Sequence, residues 1–528
     1  MTPGGRSRSR RLWGLRAVAG VVAALLLAVV VRLPWAGDLG IHAATIERLR
    51  HDPLHPGDPL VDADVPSPYY SPWTVLLGFV AKATGAGVFG VLRGAAVVGL
   101  ALLLSGIWHF VRTLTKRRAA PPLAVLCVLF LWGPALFAWS GFLGLNSLAL
   151  TVSYPSTFAL GLSFHLWACL RKALRAGSGW GVFLGLGVLW ATVLLTHQFT
   201  GVVASLGAAA MLLGARPWPS RATLCRLGVG LALGLLVLAA WPYYSFFDLL
   251  GAGGDLEEIH RSLYRDLLGR FGLALLGVAA LALRFRRDQR DPLVLFFALG
   301  AVVFAAGGLS GHYSWGRVLP AALIPAQVAA AVEVAAVVGA AGAAGAARAV
   351  GTALAPLPTA PARSPRRVLA PALAPALACA LTAALAVGAW AQAGTLGYVL
   401  PRGALPAAVA AKYRPPWPGY RWITPWVRYG DVVMAKTFPA RQIPAYGAYT
   451  VAPGYPDFFL PDEVAREDAV RRYFAPGATR EERVGVLRRY GVRWVVAYPG
   501  DGGLGEGDPA LRKVGVGPRG QRLYRVVG

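Results

Sequence analysis

The chain has 528 residues, of which 56% are hydrophobic and only 15% charged, whereas soluble domains carry about 25% charged residues. Its apolar residues form runs of roughly 18 to 25, the length that crosses a bilayer, so a soluble protein is excluded and a polytopic α-helical membrane protein is expected. The net charge of +27 lies mostly in short loops between these runs, a pattern that reflects membrane orientation and excludes nucleic acid as a partner.

Hydropathy predicts about eleven spans. The first apolar run is longer than the core of a typical signal peptide and has no A-x-A cleavage site after it, so we expect it to be retained. The predicted spans lie near residues 15–34, 87–111, 121–139, 155–170, 179–195, 199–215, 227–244, 271–284, 292–309, 318–345 and 368–392.

The loops between the spans indicate the direction of the chain. Every alternate loop is rich in arginine and lysine and nearly free of acids, as in TKRR (115–118), RKALR (171–175) and RFRRDQR (284–290). Basic loops of this kind stay in the cytoplasm. The sequence therefore predicts a multi-pass protein of the plasma membrane with a cytoplasmic N-terminus. Most acids and histidines before the C-terminal part then lie on the outer face.

The first outer loop, residues 35–86, begins with WAGDLGIHAATIERLR, in which Asp38 and His42 are four residues apart and would share one face of a helix. One interpretation is that Asp38 caps the amphipathic helix that follows. Capping does not account for His42, nor for Asp62 and Asp64 further along the loop. A second surface helix is predicted in SPWTVLLGFVAKATG, whose proline suits the first turn of a helix.

After a transmembrane domain of residues 1–392, residues 393–528 are far less apolar and are predicted to form a small C-terminal extracytoplasmic α/β domain. DVVMA (431–435), RWVVAYP (493–499) and QRLYRVV (521–527) predict strands, and EDAVRRYF and REERVGVLRRY predict helices.

The outer domain also carries aromatic residues that suit sugar stacking and membrane contact equally well, and the sequence leaves both interpretations open. They are Trp417, Tyr420, Trp422 and Trp426.

Several of these features resemble the GT-C superfamily, polytopic glycosyltransferases that use polyprenyl-phosphate sugars. The first outer loop of this chain is similar to theirs, because an acidic residue directly follows the first span and helices along the membrane come after it. Four further stretches resemble their motifs in the same order: PYYSPWTVLLGFVAKATG, LLTHQFTG (194–201), GRVLPAALIPAQVAAA (316–331) and VLRRYGVRWVVAYP (486–499). The likeness covers nearly the whole chain and points to actinobacterial arabinofuranosyl- or mannosyltransferase-like members.

The resemblance implies an enzyme that moves a sugar from a polyprenyl-phosphate donor to a cell-envelope glycan or lipid acceptor on the outer face. Such a transfer needs a base for the acceptor hydroxyl and positive donors for the departing phosphate. Asp38 is the best candidate for the base, with His42 one turn away. The candidates for binding the donor phosphate are His260, Arg261, Arg265 and Arg317. Further site candidates on the same face are Asp62, Asp64, Tyr69, Tyr70, Tyr154, His197 and His312.

The sequence does not decide whether a metal takes part. Many members of the superfamily carry an adjacent acidic pair in the first outer loop, whereas here Asp38 stands between Gly37 and Leu39. A site without a cofactor and a site with a divalent cation therefore both remain open. The four cysteines lie in or beside predicted spans without CxxC or Cys/His spacing, so neither a zinc site nor a disulfide framework is indicated.

Two other classes of function remain open from the sequence. A transporter or flippase of lipid-linked sugars would favour inverted repeats and ionisable groups at mid-membrane, and neither pattern is evident. A non-catalytic envelope-assembly protein with a decayed site is compatible with the missing second acid.

Overall fold

The computed structural model describes residues 3–250, 257–351 and 366–527, and the described chain is mostly helical. The helices that precede the C-terminal domain are α1 (Pro3–Arg32), α2 (Leu39–His51), α3 (Pro72–Thr84), α4 (Val88–Leu114), α5 (Ala120–Phe130), α6 (Leu145–Thr151), α7 (Pro155–Ala176), α8 (Trp180–Thr196), α9 (Gln198–Leu213), α10 (Arg221–Ala239), α11 (Glu257–Arg261), α12 (Leu267–Phe271), α13 (Leu275–Arg287), α14 (Pro292–Ser310), α15 (Pro320–Gly351) and α16 (Arg366–Ala391).

Each of the eleven predicted spans overlaps one of these helices over most of its length or a large part of it, in chain order α1, α4, α5, α7 to α10 and α13 to α16. Within the described residues, six helices are long and apolar enough to cross a membrane. Four more apolar helices are shorter, among them α8 and α9, which form a tight hairpin around His197. The fold is therefore that of a polytopic helical membrane protein, as predicted.

The third predicted span is shorter than expected. Residues 121–139 were expected to form one helix, but α5 ends at Phe130, just before Gly133 and Pro134. Proline lacks an N–H for the helix ladder and disfavours helical backbone in the residue before it. The chain then folds back as a loop against α12, where the amide of Ala135 donates to the carbonyl of Gly269 at 2.8 Å. This loop places Trp139 beside Arg317, whose guanidinium lies 5.8 Å from the centroid of its ring.

The first outer loop contains the two expected helices, α2 and α3. Ser71 caps α3 in a reciprocal capping box with Thr74, and Pro72 occupies the first turn, as the sequence predicts. The two helices pack very closely, because a methyl group on Gly78 of α3 would overlap the side chain of Leu49 on α2.

The C-terminal part forms one mixed five-stranded sheet in the order β2-β1-β3-β5-β4. Strands β1, β2 and β3 pair in parallel, whereas β5 is antiparallel to both β3 and β4. The strands are β1 (Val432–Met434), β2 (Tyr449–Thr450), β3 (Val492–Ala497), β4 (Leu511–Val516) and β5 (Arg522–Val526), and the helices are α17 (Ala407–Ala410), α18 (Thr437–Ala440), α19 (Glu463–Phe474) and α20 (Arg480–Arg489).

The α/β character of the C-terminal part is confirmed, including the three predicted strands and two predicted helices. Two strands were not foreseen. β2 is only two residues long, and β4 is an edge strand whose side chains are mostly exposed, so neither has the apolar run that marks a buried strand.

The first outer loop packs directly against the C-terminal domain through Arg48 of α2. Its guanidinium is fully buried, donates to the carbonyls of Gly447 and Ala448 at 2.9 and 2.6 Å, and lies 3.6 Å from the ring centroid of Tyr449. Beside it, the amide of Thr450 donates to the carbonyl of Leu60 at 2.8 Å. A buried guanidinium that donates to two carbonyls of the other part fixes the orientation of the two parts.

Two buried carboxyl groups, Asp58 and Asp457, face each other across the same interface. Asp58 accepts the amides of Leu60 and Val61 at 2.7 and 2.8 Å, and the hydroxyl of Ser67 donates to Asp457. Burial first, and the negative charge of Asp58 second, raise the pKa of Asp457 to about 8. Since two adjacent buried carboxylates cannot both ionise cheaply, the pair holds a proton near neutral pH.

The basic loops gather at one end of the helices. Arg216 forms an ion pair with Asp288 at 2.6 Å, and Arg226 donates to the carbonyl of Ser178 at 2.9 Å, so loops from three different hairpins meet there. Three of the loops predicted to be cytoplasmic thus meet at one end of the described helices. The sixth predicted cytoplasmic loop, ARSPRR (362–367), lies almost wholly outside the described residues.

Candidate active site

Asp38 lies between α1 and α2, on a backbone segment that two tyrosines fix from opposite directions. The hydroxyl of Tyr154 donates to the carbonyl of Ala36, and the hydroxyl of Tyr455 donates to the carbonyl of Gly37 at 2.8 Å. Gly37 adopts a positive φ of 47°, a conformation that glycine reaches without strain. The transmembrane part and the C-terminal domain therefore jointly set the position of this carboxylate.

Asp38 occupies the N-cap position of α2, but its carboxylate makes no capping hydrogen bond. The residue is half-buried, and no basic group within 4.0 Å pairs with it among the described residues. The capping interpretation considered from the sequence therefore does not explain why an aspartate stands here.

Arg317 supplies a buried positive charge near Asp38. It is 7% exposed, and its guanidinium lies 4.6 Å from the ring centroid of Phe199 and 5.8 Å from that of Trp139. No carboxylate within 4.0 Å neutralises it in the described part of the chain. A buried guanidinium without a paired carboxylate is costly and suits an anion as its partner.

His197, in the turn between α8 and α9, adds a second donor beside Arg317. Its Nδ1 accepts the amide of Thr200 at 3.2 Å, so the ring proton of the neutral imidazole is on Nε2. That Nε2 lies 3.4 Å from the guanidinium of Arg317. Burial and the charge of Arg317 lower the pKa of His197, so the ring is neutral. An imidazole nitrogen and a guanidinium nitrogen, both hydrogen-bond donors in this tautomer, therefore lie side by side.

The C-terminal domain contributes Arg441, which the sequence analysis missed. Its Nε donates to the carbonyl of Gly454 at 2.9 Å, and its guanidinium lies 5.5 Å from the ring centroid of Tyr455. Gly40 on α2 touches the same segment, since a methyl group there would overlap the carbonyl oxygen of Arg441. The one available signal is that Arg441 follows β1, where functional residues of parallel sheets often lie.

The electrostatics combine one carboxylate, two guanidiniums and neutral imidazoles. Burial raises the pKa of Asp38, and the positive charges of Arg317 and Arg441 oppose that rise. Burial lowers the pKa of His42 to about 3, so this ring is uncharged and packs edge-on against Tyr154 at 4.7 Å between centroids. A raised carboxylate pKa suits a general base, and two nearby cations suit a phosphate.

The structure thus brings together five of the predicted site residues: Asp38, His42, Tyr154, His197 and Arg317.

Tyr69 and His260 lie at the margin of this group. Burial first, and then the charges of Asp457 and Asp38, raise the pKa of Tyr69, whose hydroxyl donates to the carbonyl of Pro456 at 2.9 Å. His260 is buried, with its ring centroid 5.7 Å from that of Trp139 and 5.5 Å from that of Phe199. It therefore lies against the two aromatic rings that flank Arg317.

The remaining candidates lie elsewhere. Asp62 and Asp64 are exposed, and Tyr70 is buried with its hydroxyl on the carbonyl of Gly57. Arg261 is exposed, 3.7 Å from Glu258. Arg265 and His312 are also exposed, and the ring of His312 stacks on Trp315.

The described residues contain no group of three or more His, Cys, Asp or Glu side chains that could hold a metal ion. The donor set around Asp38 therefore does not fit a divalent cation held by protein ligands alone.

Comparison with known proteins identifies the fold. No protein-family model matches the chain, and no curated protein matches its sequence. Among solved structures, ArnT from Cupriavidus metallidurans aligns with 97% of this chain and 98% of its own, at a TM-score of 0.54 and 15% identity. The same protein bound to undecaprenyl phosphate aligns with a TM-score of 0.52 and 16% identity, over 97% of both chains.

Arabinofuranosyltransferase AftD from Mycobacteria aligns with 97% of this chain at a TM-score of 0.56 and 16% identity. The chain spans 40% of the length of that protein. Both neighbours are GT-C glycosyltransferases. The chain therefore shares the fold of these two proteins, as the resemblance to the GT-C superfamily predicted.

Proposed function

We propose that the protein is a membrane glycosyltransferase that moves a sugar from a polyprenyl-phosphate donor to a cell-envelope acceptor on the outer face of the plasma membrane. The single observation that carries this proposal is the half-buried carboxylate of Asp38 beside Arg317 and Arg441, none of them in an ion pair within 4.0 Å among the described residues. One base and two free cations are what transfer from a phosphate requires.

In the proposed step, the acceptor hydroxyl oxygen attacks the anomeric carbon of the donor sugar while its proton passes to Asp38. The bond between that carbon and the phosphate oxygen breaks, and its electron pair leaves with the lipid phosphate. Arg317, Arg441 and the Nε2–H of His197 stabilise the charge that develops on the phosphate. No part of the proposed step involves a metal ion.

The other predicted phosphate ligands take secondary parts in this proposal. His260 supports the aromatic rings on which Arg317 lies. Arg261, at the end of α11, and Arg265, between α11 and α12, are exposed. In these positions they suit lipid headgroups better than the reacting phosphate. The GT-C fold supports the donor class, since ArnT has been crystallised with undecaprenyl phosphate.

The test is complementation of a deletion strain with the wild-type chain, Asp38→Asn or Asp62→Asn. Loss of a general base lowers the rate by about 10² to 10⁴, so the Asp38→Asn strain should accumulate the polyprenyl-phosphate sugar and lose the glycan product. Asp62→Asn changes an exposed acid of the same loop and should complement fully.

Immunoblotting of membrane fractions shows whether each variant inserts. Full complementation by an inserted Asp38→Asn protein would refute the proposed enzyme and favour a transporter or flippase.

A further inference from the structure

The C-terminal domain contains a pocket of about 200 Å³ that none of the site residues described above lines. It lies at the carboxyl end of β3, and residues 498–506 form much of its wall, together with Tyr473, Arg522 and Tyr524. Ligands of open sheets with parallel strands bind at this end of the strands. Its size is below the roughly 300–1,000 Å³ of pockets for drug-sized ligands and suits one small ring.

The loop that forms the pocket is held in one conformation. Gly500, Gly502 and Gly503 have φ values of 87°, 84° and 92°, which only glycine adopts readily. Asp501 fixes the loop by accepting the amide of Tyr498 at 2.7 Å, and Arg483 donates to the carbonyl of Gly503 at 2.6 Å. A preformed loop loses little conformational entropy when a ligand binds.

The two carboxylates that line the pocket are both paired with basic side chains. Asp501 pairs with Lys436 at 2.8 Å, and Glu506 pairs with Arg522, lies 3.9 Å from Lys513 and accepts the hydroxyl of Tyr524 at 3.0 Å. The side chain of Glu506 remains about half exposed, at 48%. A few polar groups held in place in this way orient a neutral polar ligand by hydrogen bonds.

Two other ligand classes fit less well. Ca²⁺ takes six to eight oxygen ligands, and here both carboxylates are already paired with basic side chains. An anion would meet two carboxylates, those of Asp501 and Glu506, in the pocket wall and only one lining guanidinium, that of Arg522. A sugar residue offers hydroxyl groups to the carboxylate, the guanidinium and the loop amides, and its apolar ring face suits the tyrosines.

The pocket is connected to the candidate active site by a short segment of chain. Lys436, which pairs with the pocket residue Asp501, precedes α18, and Arg441 directly follows that helix. The segment that supports the pocket wall therefore also carries the guanidinium near Asp38.

We propose that this pocket binds one sugar residue of the acceptor glycan and so holds the acceptor chain near Asp38. The inference rests on the proposed glycosyltransferase function. It adds the position and chemical class of an acceptor subsite that is separate from the reacting groups.

Gly505→Leu tests the pocket, because Gly505 lines it and has open space for a side chain at ordinary backbone angles. Gly477→Leu is the matched control, since Gly477 has the same open space in the same domain but does not line the pocket. The probe is a set of oligosaccharides of two to six residues, released by partial acid hydrolysis from purified cell walls. They are titrated against the full-length detergent-solubilised protein by saturation-transfer NMR.

Binding to the wild type and to Gly477→Leu, with at least tenfold weaker binding to Gly505→Leu, is the expected result. The acceptor KM of Gly505→Leu should rise while kcat stays within twofold of the wild-type value. The proposal is overturned if the two glycine variants bind the oligosaccharides equally, or if the wild type does not bind them. It is also overturned if the wild type binds CaCl₂ and Gly505→Leu removes that binding.

Asp38→Asn separates the two proposals. If Asp38→Asn binds the oligosaccharides but the wild type transfers no sugar, the proposed glycosyltransferase function fails. The pocket then stands as a sugar-binding site. If the wild type transfers sugar but Gly505→Leu has an unchanged acceptor KM, the pocket proposal alone fails.

Discussion

Single residues fix the candidate site through backbone contacts more than through ion pairs. Tyr154 and Tyr455 hold the two carbonyls before Asp38, and Gly37 supplies the positive φ between them. The carboxylate is thus positioned without being neutralised by a paired cation. This arrangement leaves it available to accept a proton, which a carboxylate in a tight salt bridge does poorly.

The pair Asp58–Asp457 gives a prediction of pH dependence. Folding raises the pKa of Asp457 to about 8, whereas the pKa of an unfolded aspartate is about 3.9. Between these two pH values the folded state therefore binds more protons than the unfolded state. The stability from this group is complete below about pH 4 and is lost as the pH rises to about 8. We expect the melting temperature of the detergent-solubilised protein to fall over this range, with a clearly smaller slope for Asp457→Asn.

Asp64→Asn provides the control, because Asp64 is an exposed acid of the first outer loop and its substitution should leave the slope unchanged. An Asp457→Asn protein with the full wild-type slope would show that the pair does not share a proton.

At the scale of elements, α2 is the part that joins the two halves of the site. It starts at Asp38, packs against α3 at Gly78, and touches the backbone of Arg441 at Gly40. Glycine is required at both contacts because a Cβ atom would overlap its neighbour. The amphipathic pattern of α2 predicts the helix, but only the packed structure shows that both of its sides are covered.

Gly40→Ala should separate Arg441 from Asp38. The added methyl group overlaps the carbonyl oxygen of Arg441, and overpacking of this kind costs about 1–3 kcal/mol. We expect a lower melting temperature and a transfer rate reduced at least tenfold, measured in the complementation strain and in detergent.

Gly94→Ala in α4 is the matched control, because no atom lies within 4 Å of its added Cβ. Alanine there should be neutral or stabilising by about 0.5–1 kcal/mol through helix propensity. Equal effects of the two substitutions would contradict the close contact at Gly40.

A second element-scale feature joins α13, α14 and α15 at the basic end of the bundle. Glu333 of α15 accepts from Arg284 at 3.0 Å and from Arg287 at 2.7 Å, and Arg284 also pairs with Asp291. This network accounts for an acidic residue inside an apolar helix.

Glu333→Gln should destabilise the protein much more than Arg287→Gln. Removing one partner of a buried pair costs at most about 3–5 kcal/mol, and the largely buried Arg284 would keep only Asp291 as a carboxylate partner. The side chain of Arg287 is 62% exposed, and the loss of an exposed partner costs only about 0–1 kcal/mol. Thermal unfolding in detergent compares the two variants, and a larger loss for Arg287→Gln would contradict the assignment.

For the whole molecule, the separation of charge is the main organising feature. The basic loops meet at one end of the helices, whereas Asp38, Arg317 and Arg441 meet on the other side of the bundle. The positive-inside rule predicts that the basic end is cytoplasmic. The proposed function then requires the candidate site and the C-terminal domain to face outward, toward a lipid-linked donor.

Reporter fusions test this orientation. Alkaline phosphatase fused after residue 527 should be active and green fluorescent protein there should be dark, whereas fusions in the loop 115–118 should show the reverse. A fluorescent C-terminal fusion would place the site in the cytoplasm and refute the outer-face proposal.

The sequence by itself determined the helical spans, the basic loops and the α/β character of the C-terminal domain, and it selected Asp38 as a candidate site residue. Hydropathy, helical period and strand pattern are local properties, so each can be seen within a window of some twenty residues. The same reasoning selected His197 and Arg317 because they stand at helix ends on the outer face. It also selected Arg261, Arg265 and His312, which the structure leaves exposed, because local pattern does not separate a buried cation from an exposed one.

Only the tertiary structure decided which residues meet. Arg48 donates to a carbonyl 400 positions away, and Arg441 and Tyr455 reach the Asp38 segment over similar separations. The early end of α5, the carboxyl pair Asp58–Asp457 and the pocket beside Glu506 likewise depend on contacts between distant segments. The physical reason is that burial and charge proximity are set by packing, and one sequence carries no local signal for which distant segments will pack together.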